Sequence, residues 1–233
     1  MAVSWFRICY YSSMMRKDHL ATGEIYHIYN RSIADYIIFN NDAEFIRMLE
    51  LIKYYRIENN IKFSAFLELN LVQTEGFNNA IDIISKDKEE LVQIIAYCLM
   101  PTHIHLILKQ LKENGISDYM RKVLDGYTRY FNTLHNRKGP LWENRFKNVL
   151  VSSEEQFPHL TRYIHLNPVT ANLIKKPEDW AFSSYKEYLS KINHPICQFG
   201  DILNIESHIY RKFVNDQISY QKELAKIKKL LFD

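Results

Sequence analysis

Glycine and proline are scarce in this chain, with six of each among 233 residues. Long disordered tracts are usually rich in these residues and poor in apolar ones, whereas 47% of this sequence is hydrophobic. Length and composition therefore predict a soluble globular protein of one domain, with room for an appendage.

Cysteines are few as well. Cys9, Cys98 and Cys197 form no CxxC pair and have no disulfide-like spacing, which predicts a reducing compartment. We expect Cys98, in an apolar segment, to be a buried structural thiol. The sequence has no run of the roughly 20 apolar residues that a membrane span needs, and its start does not have the pattern of a signal peptide. We therefore expect a cytoplasmic protein with no membrane partner.

Net charge is only +3, but the charges are unevenly distributed. Residues 121–147 contain seven basic residues against two acidic ones, with aromatic residues between them, whereas residues 68–90 contain six acidic residues against two basic ones. Basic residues interleaved with aromatics suit a nucleic-acid groove, although a solvated helix face explains the basic block equally well. The candidate DNA contacts are Arg121, Lys122, Arg129, Trp142, Arg145 and Lys147.

Periodicity and capping residues predict strands alternating with helices. Strands are predicted at 24–31, 91–100, 103–109 and 146–152, and helices at 43–57, 117–135, 153–166 and, as one or two segments, 206–232. The pattern also predicts an extended segment at 61–69, a short helix at 78–88, and an acidic insertion over about 68–90. Because Pro168 disfavours a helical residue before it, Asn167 is expected at a helix end. These elements leave α/β and α+β open, with a small sheet in either case.

Two histidines stand two residues apart in the β-prone run from Tyr97 to Leu108. Alternate side chains of a strand share a face, so His103 and His105 should point the same way, with Ile104 turned to the core. Two neighbouring imidazoles can ligate a metal, but two solvated strand residues would give the same pattern. Histidine-triad nucleotide hydrolases are excluded because the next alternate position is Ile107.

A tyrosine and an amide follow in the segment 162–168. If this segment is helical, Tyr163 and Asn167 lie one turn apart on one face. Each has an ordinary alternative, as a packing tyrosine and as a turn residue. His165 should point elsewhere and be structural or DNA-facing. Combined with a metal-binding histidine pair, the tyrosine and the amide point to phosphodiester chemistry.

Four ordered blocks carry a resemblance to a known family. They are MPTHIHL (100–106), GPLWENRFK (139–147), RYIHLNPV (162–169) and WAFSSY (180–185). Together they closely resemble the single-tyrosine HUH transposases, in particular the REP-associated tyrosine transposase branch, over about residues 22–190. The segment YHIYNR (26–31) is similar to that branch's opening strand. Thr102 replaces the family's usual Asn, a change expected to affect only the turn, and the acidic stretch looks longer than usual.

The resemblance implies an α+β fold, a small antiparallel sheet flanked by helices of the ferredoxin-like or RRM-like type. It implies that His103, His105 and Asn167 bind a divalent metal, Mg²⁺ or Mn²⁺, and that Tyr163 is the nucleophile. The implied activity is cleavage and rejoining of single-stranded or hairpin DNA through a 5′-phosphotyrosine intermediate, in a nucleoid-associated protein.

Residues 22–190 would form the catalytic domain and 191–233 a C-terminal helical extension. Residues 1–21 would precede the domain, with Met1, Met14 and Met15 as alternative starts. Whether the protein is a monomer or a homodimer stays open, and no general base is evident. Two other functions also stay open: a catalytically silent DNA-binding regulator with the same fold, and a zinc- or nickel-binding structural protein.

Overall fold

A four-stranded antiparallel sheet forms the centre of the computed structural model, which describes residues 18–59, 61–190 and 192–232. The strands are β1 (Ile25–Arg31), β2 (Val92–Met100), β3 (His103–Gln110) and β4 (Lys147–Leu150), in the spatial order β2-β3-β1-β4. Strands β2 and β3 form a hairpin across Pro101 and Thr102, and β1 fits between β3 and β4.

Helices cover the sheet on both sides. They are α1 (Asp42–Tyr55), α2 (Phe63–Leu67), α3 (Asn70–Ser85), α4 (Gly115–Leu134), α5 (Gln156–Thr170), α6 (Tyr185–Leu189), α7 (Ser207–Asn215) and α8 (Ile218–Phe232). Short 3₁₀ turns occupy Ile33–Asp35 and Pro177–Asp179. The architecture confirms the predicted α+β class, a small antiparallel sheet flanked by helices with a helical C-terminal part.

The two faces of the sheet have different coverings. One face, called the α4 face below, packs residues such as Ile28 and Leu106 against α1 and α4. The other packs Cys98 and Ile107 against Ile164 of α5. Side chains alternate along a strand, so His103 and His105 share the second face, as predicted. We call this second face the histidine face.

The register of β1 completes the histidine face. Tyr29 lies opposite His105 on one side and opposite Lys147 on the other, and Arg31 lies opposite His103. Polar side chains from three strands therefore meet at one end of the face, while Ile107 and Cys98 fill the rest with apolar packing.

The prediction of an extended segment at 61–69 is wrong. Phe63–Leu67 is helical because Phe63 and Phe66, three residues apart, both bury their rings against Tyr54 of α1. The helix predicted at 78–88 starts earlier, at Asn70, and is interrupted at Gly76, where φ is +77°, a conformation that glycine adopts without strain.

The predicted ends of α4 and α5 also need correction. Helix α4 begins at Gly115 rather than at Ser117. Residue 115 is a glycine at a close approach, because a Cβ atom there would collide with the carbonyl oxygen of Leu91. Helix α5 continues through Pro168 to Thr170. Proline removes one helical hydrogen bond, but burial of Pro168 and Val169 against the histidine-face core offsets that loss. Asn167 is therefore inside a helix, not at its end.

The C-terminal part belongs to the same core. Tyr210 and Val214 of α7 are buried in the cluster that contains Ile164 of α5 and Ile107 of β3. Within the described ranges, none of the helices combines the length and apolar character that crossing a membrane requires. Cys98 is buried, as predicted, whereas Cys9 and the alternative starts Met14 and Met15 lie outside the described residues.

Candidate active site

A cleft of about 600 Å³ opens between the histidine face and α5. Its wall brings together the predicted histidine pair, the predicted tyrosine and amide, and two of the predicted DNA-binding cations. The lining residues are His27, Tyr29, Asn30, Arg31, His103, His105, Glu143, Asn144, Arg145, Lys147, Val149, Tyr163 and Asn167.

The histidine pair lies on the floor of the cleft. The rings of His103 and His105 have centroids 5.1 Å apart and planes at 89°, an arrangement in which both can turn a nitrogen towards one point. The Nδ1 atom of His103 is 3.0 Å from the hydroxyl of Thr102, so Thr102 does more than shape the turn. This hydrogen bond leaves Nε2 of His103 as the nitrogen available to the cleft.

Tyr163 and Asn167 approach the floor from α5. The ring of Tyr163 meets His105 edge-on with centroids 6.2 Å apart, and 39% of the residue is exposed. One turn later, the amide nitrogen of Asn167 is buried and has no hydrogen-bond partner among the described residues. A buried polar group without a partner is costly, so this amide is suited to a polar ligand inside the cleft.

A third histidine, His27 of β1, also lies on the floor. Its Nε2 atom is 3.0 Å from Nδ1 of His105, and the two rings are stacked with centroids 5.2 Å apart. From the sequence, His27 is predicted only to be part of a strand. The available signal was the alternation of His27, Tyr29 and Arg31 along a predicted strand, but nothing local in the sequence gives the partner of that strand.

Burial makes the three imidazoles poor bases. It lowers the pKa of His27 to about 4 and, together with the charge of Arg31, that of His103 to about 4. Burial, followed by the neighbouring His103 and His27, holds the pKa of His105 well below its usual range. The rings are therefore neutral at physiological pH, which is the form that ligates metals.

His103, His105 and Asn167 are the cleft residues that could hold a divalent cation. Neutral imidazole nitrogens, an amide and open coordination positions are compatible with Mn²⁺ or Mg²⁺. Within the described residues, no group of three or more His, Cys, Asp or Glu side chains is placed to hold a metal. A closed structural zinc site takes about four such ligands, which the described residues do not bring together.

The predicted DNA-binding residues fall into two sets. Arg145 and Lys147 line the cleft, and the Lys147 ammonium lies 5.9 Å from the ring centre of Tyr29. Arg121, Lys122 and Arg129 are on α4, which covers the opposite face of the sheet. Trp142 packs against the α4-face core, and its ring nitrogen donates to the carbonyl oxygen of Leu124 at 3.3 Å.

His165, between Tyr163 and Asn167, points away from the cleft. It is fully buried, with Nδ1 2.7 Å from the hydroxyl of Tyr210 and Nε2 2.7 Å from that of Ser184. Of the two roles open from the sequence, the structural one fits, because these contacts connect the centre of α5 to α7 and to the start of α6.

Comparisons with known proteins point to one group. The family model described as Transposase IS200 like matches residues 70–167. A REP-associated tyrosine transposase of Escherichia coli is 24% identical over 141 residues, which are 60% of this chain and 81% of that protein. A putative REP-associated tyrosine transposase of Haemophilus influenzae is 29% identical over 104 residues, which are 40% of this chain and 58% of that protein.

A solved structure described as "Structure of the REP associates tyrosine transposase bound to a REP hairpin" covers 83% of this chain and 95% of its own, with 17% identity and a TM-score of 0.45. The matched segment 70–167 contains all four residues placed by sequence in the metal and nucleophile roles, with Asn167 at its last position. The resemblance predicted from the four sequence blocks is thus confirmed: this chain is similar to the IS200-like transposases over residues 70–167 and to the REP-associated tyrosine transposases of two bacteria.

Proposed function

We propose that this protein cleaves and rejoins single-stranded DNA in a metal-dependent reaction, with Tyr163 as the nucleophile. The observation that carries the proposal is the convergence of Tyr163 and Asn167, from one turn of α5, on the His103–His105 pair of β3 within a single cleft. Three of these groups fit a cation, and the fourth carries a hydroxyl.

The reaction is a transfer of the phosphoryl group to tyrosine. The Oη atom of Tyr163 forms a bond to the scissile phosphorus, the bond from phosphorus to the 3′ oxygen breaks, and that oxygen leaves as a 3′-hydroxyl after taking up a proton. The protein then holds the DNA through a 5′-phosphotyrosine. Because the ester bond is conserved, a 3′-hydroxyl can attack the same phosphorus and release Tyr163 when the strands are rejoined.

The tyrosine needs help to attack. Burial, followed by the nearby Tyr29, raises the pKa of Tyr163 above its usual range, so the hydroxyl is protonated at neutral pH. A divalent cation at the histidine pair would supply the Lewis acid that polarises the phosphoryl oxygens. Arg145 and Lys147 add positive charge along the same wall and offset the negative charge that develops on the phosphate.

The proposed substrate is a DNA hairpin flanked by single strands. The support is the name of the two curated relatives, which are REP-associated. A cleft that is open along one side, with cations at its rim, accommodates an extended strand. We further propose that the protein works at the nucleoid.

One gel tests the proposal. Purified protein is incubated with Mn²⁺ and an end-labelled hairpin oligonucleotide carrying single-stranded flanks, then denatured in SDS. We expect a labelled protein–DNA adduct for the wild type and for Tyr29→Phe, which alters another cleft tyrosine, and none for Tyr163→Phe or without divalent metal. A mobility shift in native gels without any adduct would favour a silent regulator instead.

A further inference from the structure

The contact between His27 and His105 is not used by the chemistry described above. The Nε2 atom of His27 lies 3.0 Å from Nδ1 of His105, within hydrogen-bond range, and the rings are stacked at an interplanar angle of 20°. His105 is only 8% exposed, so solvent has little access to replace this partner. The pairing of β1 with β3 determines the contact. Tyr29 lies directly opposite His105, and His27, two residues before Tyr29 on the same face, is the diagonal neighbour of His105.

A neutral imidazole has one N–H, and its position decides whether His105 can bind a metal. If Nδ1 of His105 donates to His27, then Nε2 of His105 has a free lone pair. If His27 donates instead, Nε2 of His105 must carry the proton and cannot be a ligand. Binding of a cation by His105 through Nε2 is therefore compatible with only one direction of this hydrogen bond.

Direct ligation by His27 is the main competing role. The three histidines do not form a group placed to hold a metal among the described residues, and the nitrogen that His27 presents to the neighbouring ring is occupied by its contact with His105. A second competing role is that of a general base for the Tyr163 hydroxyl. The two rings meet edge-on with their centres 6.5 Å apart, and this ring contact is not a hydrogen bond through which His27 could take the hydroxyl proton.

We infer that His27 is a positioning residue that accepts a hydrogen bond from Nδ1 of His105 and so holds Nε2 of His105 free for the metal. The inference rests on the proposed function, since that function supplies the cation. In the turn before β3, Thr102 would serve the same end for His103 by accepting a hydrogen bond from its Nδ1 atom, which lies 3.0 Å from the threonine hydroxyl. Each ligand then has a partner outside the metal shell that selects its tautomer.

Two substitutions separate accepting from stacking. His27→Phe keeps an aromatic ring against His105 and Tyr29 but has no acceptor. His27→Gln loses the ring but places an amide oxygen close to the position of Nε2. If His27 is a positioning residue, His27→Gln should retain metal binding and His27→Phe should lose it. If His27 only packs against His105, the reverse is expected.

Metal affinity provides the first measurement, by titration of each protein with Mn²⁺ and detection of free Mn²⁺ by electron paramagnetic resonance. Loss of a partner of this kind typically weakens metal binding by about 10- to 100-fold, so we expect that loss for His27→Phe and a loss of less than about threefold for His27→Gln. Wild-type affinity in His27→Phe, or equal losses in both variants, would overturn the inference.

The tautomer itself provides a second measurement that needs no metal. In apo protein labelled with ¹⁵N-histidine, long-range ¹H–¹⁵N spectra at pH 7.5 report which nitrogen of His105 is protonated, and His105→Asn identifies its signals. We expect Nδ1–H in the wild type and Nε2–H in His27→Phe. An Nε2–H form in the wild type would refute the inference. Failure of the wild type to bind Mn²⁺ would instead contradict the proposed function, and the spectra would still decide the role of His27.

Discussion

Sixteen tyrosines occur in the sequence, and their surroundings separate them. Tyr127, a rival of Tyr163 in the basic block, is fully buried and donates its hydroxyl to the carbonyl oxygen of Ile38. Tyr130 lies on the α4 face, next to Arg47. Tyr29 is the rival that the structure adds, since it shares the cleft with Tyr163. A role for Tyr163 must therefore be tested against Tyr29.

Peptide mapping makes that test. We expect the DNA-linked peptide from a trapped adduct to contain Tyr163, and Tyr163→Phe to bind the hairpin with wild-type affinity, because the cleft cations remain in place. Loss of one hydroxyl on a residue that is 39% exposed should change the free energy of unfolding by less than about 0.5 kcal/mol. A cross-linked peptide containing Tyr29 instead would assign the nucleophile to β1.

The three proposed metal ligands should contribute unequally to metal binding. The double substitution His103→Ala and His105→Ala should abolish metal-dependent cleavage while far-ultraviolet circular dichroism stays that of the wild type. Asn167→Ala should weaken Mn²⁺ binding less, because an amide is the weakest of the three ligands. Since the Asn167 amide nitrogen has no hydrogen-bond partner in the described part of the chain, its removal should not lower the free energy of unfolding by more than about 1 kcal/mol. Unchanged Mn²⁺ affinity in Asn167→Ala, measured by calorimetry, would remove Asn167 from the site.

Local spacing explains which of these residues the sequence could predict. His103 and His105 are two apart on a strand, and Tyr163 and Asn167 are four apart on a helix, so each pair's common face follows from the geometry of one element. His27 and His105 are 78 residues apart. Their contact depends on the register between β1 and β3, which no local pattern determines.

At the scale of elements, hydrogen bonds on the side of α5 that faces away from the cleft anchor the helix. His165 is buried between Tyr210 of α7 and Ser184, and the Ser184 hydroxyl in turn bonds to the backbone of Tyr97 on β2. This chain of hydrogen bonds connects the helix that carries Tyr163 to the sheet that carries the histidines. It fixes the depth at which the tyrosine enters the cleft.

Tyr210→Phe should therefore destabilise the protein. The substitution leaves a nitrogen of the buried His165 without its partner, at a cost of about 1–3 kcal/mol, measurable by urea unfolding. Tyr220→Phe is the matched control, because Tyr220 is 55% exposed. This variant should unfold at the same urea concentration as the wild type. Equal midpoints for Tyr210→Phe and the control would show that the contact carries no stability.

The split of the basic block leads to a different test. Substitution of Arg145 and Lys147 by Gln should reduce the dependence of log affinity on log salt by roughly 0.7 per lost phosphate contact on single-stranded DNA. Arg121, Lys122 and Arg129, on the opposite face, form the matched set in the same assay. If substitution of the three α4 residues leaves the salt dependence of DNA affinity unchanged, those cations are solvated and do not contact DNA. If substitution of Arg145 and Lys147 leaves it unchanged, their role in the proposed function is contradicted.

Elements were predictable where a single period dominates. The alternation in β1 and the helical spacing of α4 follow from local pattern alone. The buried residues of α4 include Tyr119, Met120, Val123, Leu124, Tyr127 and Phe131. The segment 61–69 was not predictable in this way, because α2 has only five residues and forms by packing on Tyr54. The continuation of α5 past Pro168 likewise depends on tertiary burial, which outweighs the local preference.

For the molecule as a whole, an ion pair supplements the apolar packing that joins α3 to the core. Asp82 of α3 lies 3.2 Å from the ammonium of the buried Lys53 and 2.5 Å from Nδ1 of His194. Partial burial opposes ionisation of Asp82, but the hydrogen bond from His194 and the charge of Lys53 outweigh it and lower the pKa of the carboxyl below its usual value of about 3.8.

The sign of the resulting pH dependence is fixed. A carboxyl whose pKa is lowered on folding stabilises the protein above its unfolded pKa, and this stabilisation disappears as the pH falls through the folded value. We expect Asp82→Asn to lose about 1 kcal/mol or less at pH 7, since solvent screens a side chain that is 43% exposed. The difference from the wild type should shrink in urea titrations as the pH falls below about 3.8. The exposed Asp125→Asn is the control, and a difference that grows on acidification would contradict the linkage.

The anchoring of α5 by Tyr210 has a consequence during synthesis. The β2–β3 hairpin precedes α5 in the chain, so a growing chain exposes His103 and His105 before Tyr163. The helix with Tyr163 follows, but its buried histidine finds its last partner only when residue 210 has emerged. Under the proposed function, a chain that stops before residue 210 has the histidine pair, but the helix that carries both Tyr163 and Asn167 lacks one of its fixing contacts. DNA cleavage is thereby deferred until residue 210 has emerged.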